Sequence, residues 1–180
     1  HQFSRNLVRT AAGEGRFAGP HEVEITAANG ETRTVSAAHI LIACGTRPFR
    51  PGYVPFDGKT VFDSDEIIDL PKLPRSLTVI GAGVIGVEYA TIFSALDVAV
   101  TLIEPRPTFL DFIDKELIGE FMHELRDRNV AMRLGSAVNS IEHHAGGGIQ
   151  TRLADGRVVT SEMLLFAAGR VGATDRLNLG

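Results

Sequence analysis

The rhythm of hydrophobic and polar positions changes near residue 75. Upstream, Val23-Glu24-Ile25-Thr26 and Thr32-Arg33-Thr34-Val35 alternate with period two, and Ile40-Leu41-Ile42 forms a short apolar run. Such segments predict strands. The first two flank Asn29-Gly30, a pair suited to the two positive-φ positions of a type I′ hairpin turn. The first quarter of the chain therefore reads as an antiparallel meander. Between Gly45 and Pro74 the residues Pro48, Pro51, Pro55, Pro71 and Pro74 remove backbone donors and disfavour helix before them. This stretch reads as a connector with one helical turn starting near Ser64. Asp63, Ser64 and Asp65 there supply short polar caps and negative charge for the positive helix end.

Beyond Ser76 the pattern becomes strand, helix, strand. Leu77-Thr78-Val79-Ile80 is a strand of the fully buried type, a helix runs to about Leu96, and residues 98–103 form a second strand. A second helix starts at Asp114 and carries Leu117, Ile118, Phe121, Met122 and Leu125 at helical spacing, with a strand at 130–134 after it. Asp97 and Asn129 stand where each helix is expected to end in left-handed backbone. The tail holds strands at 137–141, 149–153 and Val158-Val159, with turns at Gly146-Gly147-Gly148 and Asp155-Gly156. A last apolar run, 163–168, is closed by Gly169.

Composition narrows the function classes. With 44% hydrophobic and 22% charged residues over 180 positions, the chain is globular rather than disordered and long enough for one domain or one and a half. The longest apolar run, 40–44, falls far short of the ~18–20 residues that cross a bilayer, so no membrane partner and no secretory signal are expected. Cys44 is the single cysteine, which leaves no disulfide, no Cys-based zinc site and no C-x-x-C pair, and a formal charge of −4 gives no electrostatic reason to bind nucleic acid. The expected compartment is the reducing cytosol. The chain opens on His1 rather than Met, as a processed product or an excised piece would.

The chemistry concentrates at Gly81-Ala82-Gly83-Val84-Ile85-Gly86, set between a strand and a helix. The first glycine permits a tight turn, the second lets backbone approach a pyrophosphate, and the third lets helix pack on strand. The helix start adds free N–H groups and a positive dipole end. Glu104 closes the next strand, where a carboxylate accepts bonds from a ribose 2′-hydroxyl and disfavours a 2′-phosphate. Arg106 leaves two alternatives open: a cation for a 2′-phosphate, which would admit NADP, or a solvated loop arginine. Cys44 reads as a small buried hydrophobe, His143 and His144 point to opposite faces and hold no metal, and Glu66 and Asp69 read as a solvated helix face. No catalytic residue is expected in the chain. The fold class is α/β, a Rossmann-like NAD(P)-binding domain with a parallel sheet and an antiparallel meander.

Three segments carry a family resemblance. Ile42-Ala43-Cys44-Gly45-Thr46-Arg47-Pro48 resembles the A-T-G-S-R-P segment with which flavin-dependent pyridine nucleotide disulfide oxidoreductases leave their FAD domain. Gly81 to Tyr89 is similar to their second dinucleotide motif, with Glu88 as its acid, and Ala168-Gly169-Arg170 resembles their exit from the NAD domain. Within that superfamily, Leu110-Asp111-Phe112-Ile113-Asp114 and Gly169-Arg170-Val171-Gly172 with Thr174-Asp175 resemble the Si-specific pyridine nucleotide transhydrogenases. Gly172 and Asp97 depart from the Pro and Gly usual in disulfide reductases.

The resemblance implies hydride exchange between NADPH and NAD⁺ through a bound FAD. Dihydrolipoamide dehydrogenase and a non-catalytic NAD-sensing module are the alternatives. It implies that Gly81, Gly83 and Gly86 hold pyrophosphate, Glu104 the adenosine ribose, Val138 the adenine edge, and Glu88 and Gly169 the nicotinamide side. Val84 falls where glutathione reductases carry a gating Tyr. It also implies a partial FAD domain at 1–48, a connector at 49–74 and the NAD(P)-binding domain at 75–180. On this reading the 180 residues alone bind NAD(P)(H) weakly, bind no FAD and are inactive. FAD and a homo-oligomer contact belong to the full-length parent.

Overall fold

In the computed structural model, which describes residues 2–179, the chain divides into two units, His1–Arg47 with Val171–Gly180, and Pro48–Arg170. The first break falls at 47/48, and residues 49–74 and 75–170 lie within one unit. In the first unit, β1 (Glu14–Gly19), β2 (Glu22–Thr26) and β3 (Thr32–Ser36) pair antiparallel in that order. The sequence pattern missed β1, because Gly15 and Gly19 interrupt its alternation. The last residues belong to this unit: Phe17 N donates to Leu177 O at 2.8 Å, Asn178 Nδ2 donates to Phe17 O at 2.9 Å, and Arg176 pairs with Glu14 at 2.7 Å.

Three expectations for this unit are corrected. The Asn29-Gly30 turn is not type I′, since Gly30 has φ +84° but Asn29 is not left-handed. Its side chain closes the turn instead, with Oδ1 accepting from Glu31 N at 3.1 Å, the local bond that makes Asn a turn residue. Residues 40–42 form no strand, and Leu41 is 90% exposed. An apolar run becomes a strand only where a sheet edge accepts it. Cys44 follows the same segment and is exposed, not buried.

The second unit is a sandwich around a five-stranded parallel sheet. Its strands are β4 (Val61–Asp63), β5 (Ser76–Ile80), β6 (Ala99–Glu104), β7 (Ala131–Leu134) and β11 (Met163–Phe166), in the order β4-β11-β5-β6-β7. Helices α1 (Val84–Ala95) and α2 (Lys115–Asp127) follow β5 and β6. Strands β8 (Val138–His143), β9 (Ile149–Leu153) and β10 (Val158–Ser161) form an antiparallel meander.

Period-two alternation sorts the sheet's side chains into two cores. Phe62, Leu77, Val79, Leu102 and Leu165 join α1 and α2 on one face, while Val61, Ile80, Ile103, Leu164 and Phe166 join Ile141, Ile149 and Leu153 of the meander on the other. A sheet covered on both faces has near-continuous apolar strands, as these are. Thr78 is buried in it and satisfied, its hydroxyl donating to Ser161 Oγ at 2.8 Å.

The helix ends follow the expectations. Asp114 Oδ1 accepts from Glu116 N at 2.8 Å, and Asp97 and Asn129 have φ +60° and +59°. Leu117 does not join the buried stripe of α2 and is 64% exposed. The connector is more than a linker, because β4 pairs with β11 and all three of its residues are buried. Asp57 secures the approach to β4, accepting from Lys59 N, Thr60 N and Val61 N at 2.8–2.9 Å. Asp63 caps the short turn after it, accepting from Asp65 N and Glu66 N. Glu66 is not simply solvated: it pairs with Arg50 at 3.1 Å.

Candidate functional site

The glycine-rich turn leaves β5 at the carboxyl end of the sheet. Gly81 has φ +98°, and a Cβ there would meet Ala167 O at 2.8 Å. A Cβ on Gly86 would run into Gly81 O, so this glycine is required where α1 crosses the turn. Gly83 differs from both. Its backbone is extended, it caps α1, and a Cβ built on it would meet nothing within 4 Å. The chain's own packing therefore demands Gly81 and Gly86 but not Gly83. The open space lies at a helix start that no side chain caps, where free N–H groups and the dipole favour an anion.

Glu104 ends β6 beside this turn and is 4% exposed. Its Oε2 accepts from Ala82 N at 2.8 Å, and its Oε1 accepts from Arg106 Nε at 2.8 Å and Arg106 N at 3.1 Å. Burial pushes the carboxyl up, but these bonds outweigh it and hold the group below the usual carboxylate range. It is an anion at neutral pH. Arg106 is shifted upward in turn, chiefly by its bond to Glu104.

These residues line a cleft of about 510 Å³ that brings together Gly81, Gly83, Glu104, Arg106, Val138 and Gly169. Val84, Ile85, Gly86 and Glu88 lie outside its lining, on the first turns of α1, with Val84 and Glu88 exposed and Gly86 buried. The sequence reading missed Tyr53 and the Ala167-Ala168 backbone. Tyr53 comes from the proline-rich stretch and stands edge-on to Phe166 at 6.4 Å, a placement with no local pattern to announce it. Chemically, the cleft offers backbone donors for an anion at one point and a buried carboxylate for a hydroxyl at another. Such a pair suits a molecule carrying both groups.

Comparison with known proteins bears on the same region. The family model described as pyridine nucleotide-disulphide oxidoreductase matches residues 2–179. The chain belongs to the pyridine nucleotide-disulphide oxidoreductase family. Two relatives named soluble pyridine nucleotide transhydrogenase are similar to it across almost its whole length. The one from Mycobacterium bovis (strain BCG / Pasteur 1173P2) is 44% identical over 99% of this chain, and the one from Pseudomonas putida is 38% identical over 98%. In both cases the match spans 38% of the relative.

Among solved structures, LpdA from Mycobacterium tuberculosis superposes with a TM-score of 0.85 at 26% identity, covering 98% of this chain and 40% of that one. The HOCl-induced flavoprotein disulfide reductase RclA from Escherichia coli gives 0.76 at 26% identity, covering 98% and 42%. As a member of the pyridine nucleotide-disulphide oxidoreductase family, the chain thus has the α/β fold expected from its pattern. Among the described residues no helix is long and apolar enough to cross a membrane.

Proposed function

We propose that the cleft binds NAD(P)(H) and that the chain is the nicotinamide dinucleotide-binding portion of a flavoprotein that exchanges hydride between NADPH and NAD⁺ through FAD. The observation that carries the reading is the bare Gly83 at the uncapped start of α1, in one cleft with the buried Glu104 carboxylate. Free N–H groups at the helix start would hold the pyrophosphate, with Gly83 leaving room for it and Gly81 and Gly86 shaping the turn. Glu104 would accept from the adenosine ribose, Val138 would meet the adenine edge, and Gly169 and Glu88 would lie toward the nicotinamide, beside Val84 and Ile85. When bound, the nicotinamide supplies the hydride-carrying carbon and the flavin relays the hydride. Neither an acid–base group nor a nucleophile of this chain is needed for that step. The parent is read as a cytosolic homo-oligomer, and the likeness to the named transhydrogenases supports the choice of reaction.

A second reading, a disulfide reductase, is favoured by the likeness to RclA. Assays on the full-length flavoprotein that carries this chain separate the two. Transfer from NADPH to a thio-NAD⁺ analogue without a disulfide substrate is expected. Reduction of NAD⁺ to NADH by dihydrolipoamide, which is oxidised to lipoamide, in its place overturns the transhydrogenase reading.

A further inference from the structure

Arg106 stands between two carboxylates. Its Nε donates to Glu104 Oε1 at 2.8 Å, and its Nη1 lies 3.6 Å from Asp111 Oδ2. The three side chains differ in freedom: that of Glu104 is buried, whereas those of Arg106 and Asp111 are 52% and 58% exposed. Asp111 is nonetheless held in place. Thr108 Oγ1 donates to its Oδ1 at 2.7 Å, and the two residues before it, Phe109 and Leu110, are buried anchors of the β6–α2 loop. The movable member of the trio is the arginine.

The hydrogen-bond count at Glu104 shows why that mobility matters. A carboxylate offers about four acceptor positions, and Ala82 N, Arg106 N and Arg106 Nε already use three of them. A ribose that presents two hydroxyls needs another position, and the backbone donors are fixed by the fold. Only the Arg106 side chain can yield one. Once released, its guanidinium has two anionic destinations: the Asp111 carboxylate, or a 2′-phosphate, which it would bind through charge-assisted and preferably bidentate bonds.

We propose that Asp111 is a positioning residue that sets the balance between NAD and NADP by drawing Arg106 away from the ribose. With Asp111 charged, the arginine has a resting place that leaves Glu104 free for a 2′-hydroxyl. With that charge removed, Arg106 is left to Glu104 or to a 2′-phosphate, and the preference moves toward NADP. The inference rests on the dinucleotide reading of the cleft.

Calorimetric titration of the full 180-residue chain with NAD⁺ and with NADP⁺ tests it, using wild type, Asp111→Asn, Asp111→Ala, Arg106→Ala and the Arg106→Ala/Asp111→Asn double variant. Exposed ion pairs are weak, so the Kd ratio is expected to move toward NADP⁺ by roughly two- to fivefold in either Asp111 variant. Arg106→Ala is expected to weaken NADP⁺ and to tighten or spare NAD⁺. In the Arg106→Ala background the Asp111 effect is expected to vanish. An unchanged ratio in both Asp111 variants overturns the proposal while leaving the cleft's ligand class intact. So does an equal shift with and without Arg106, which would mean direct repulsion of the phosphate by Asp111. Binding of neither dinucleotide by wild type overturns the dinucleotide reading and the inference together.

Discussion

The two units both contain hydrogen-bonded sheets but differ in what those sheets bury. In the first, β1, β2 and β3 pair antiparallel with one irregularity between Phe17 and Gly19, yet every described residue from 2 to 47 is exposed or half-buried. In the second, the parallel sheet is covered on both faces, and Val61, Leu77, Val79, Leu102, Leu164 and Leu165 are sealed from solvent. Backbone pairing is therefore common to both, and side-chain burial is what separates them. A ladder fixes register, but apolar burial supplies the larger share of stability. The cleft is built on the unit that has its own core, where turn and carboxylate are held by packing.

The largest test of that contrast is a pair of truncations. Leu102→Ala is expected to lower the unfolding free energy by about 2–5 kcal/mol in denaturant titrations, the usual cost of a core cavity. Val35→Ala, on the 45% exposed Val35 of β3, is expected to change it by under about 0.5 kcal/mol. Comparable losses would mean that side-chain burial does not separate the two units.

The same contrast recurs on a smaller scale within the glycine-rich turn. Gly86→Ala places a methyl against Gly81 O and is expected to cost about 1–3 kcal/mol of stability through overpacking. Gly83→Ala should melt like wild type while weakening dinucleotide binding roughly tenfold, since its methyl enters the space left for the ligand. Thermal melts paired with calorimetry read both effects, and a Gly83→Ala chain that melts normally and binds normally would remove the ligand role of that glycine.

The smallest effect concerns Asp57. Burial raises its carboxyl, but N–H donors of Val61, Thr60 and Lys59 outweigh it and hold the group far below the ordinary range. A depressed folded-state value means stability that is fully present above the unfolded value and is lost as pH falls toward the folded one. Asp57→Asn is expected to cost about 1 kcal/mol at pH 7. The gap to wild type should shrink as the pH drops below about 4, the unfolded aspartate value. A gap independent of pH would detach the effect from the carboxylate charge.

Features whose cause is local were legible in the residues. Asp114 caps α2, Asp97 and Asn129 take left-handed backbone, and the glycines of the turn each sit where a side chain would or would not fit. Features whose cause is distant were not. Val61–Asp63 is a strand because β11 lies beside it, a partner a hundred residues away in the chain. Ile40-Leu41-Ile42 is apolar enough for a strand but joins no sheet. The spacing of Glu104 and Arg106 announced a cation near the acid. That the arginine would rest on Glu104 itself, with Asp111 on its other side, depends on how the β6–α2 loop is anchored by Phe109 and Leu110.

The position of β11 has a consequence for how the molecule is made. The last strand of the parallel sheet in the chain lies inside that sheet, paired with the edge strand β4 on one side and β5 on the other. During synthesis, β4 and β5 emerge long before the strand that joins them, and their facing edges stay open until residues 163–166 leave the ribosome. Late insertion of a wholly apolar strand between two waiting edges is a slow, non-local step, and open edges attract other chains meanwhile. Expression at low temperature or alongside a chaperone should therefore raise the yield of folded protein more than any adjustment of the meander at the start of the chain.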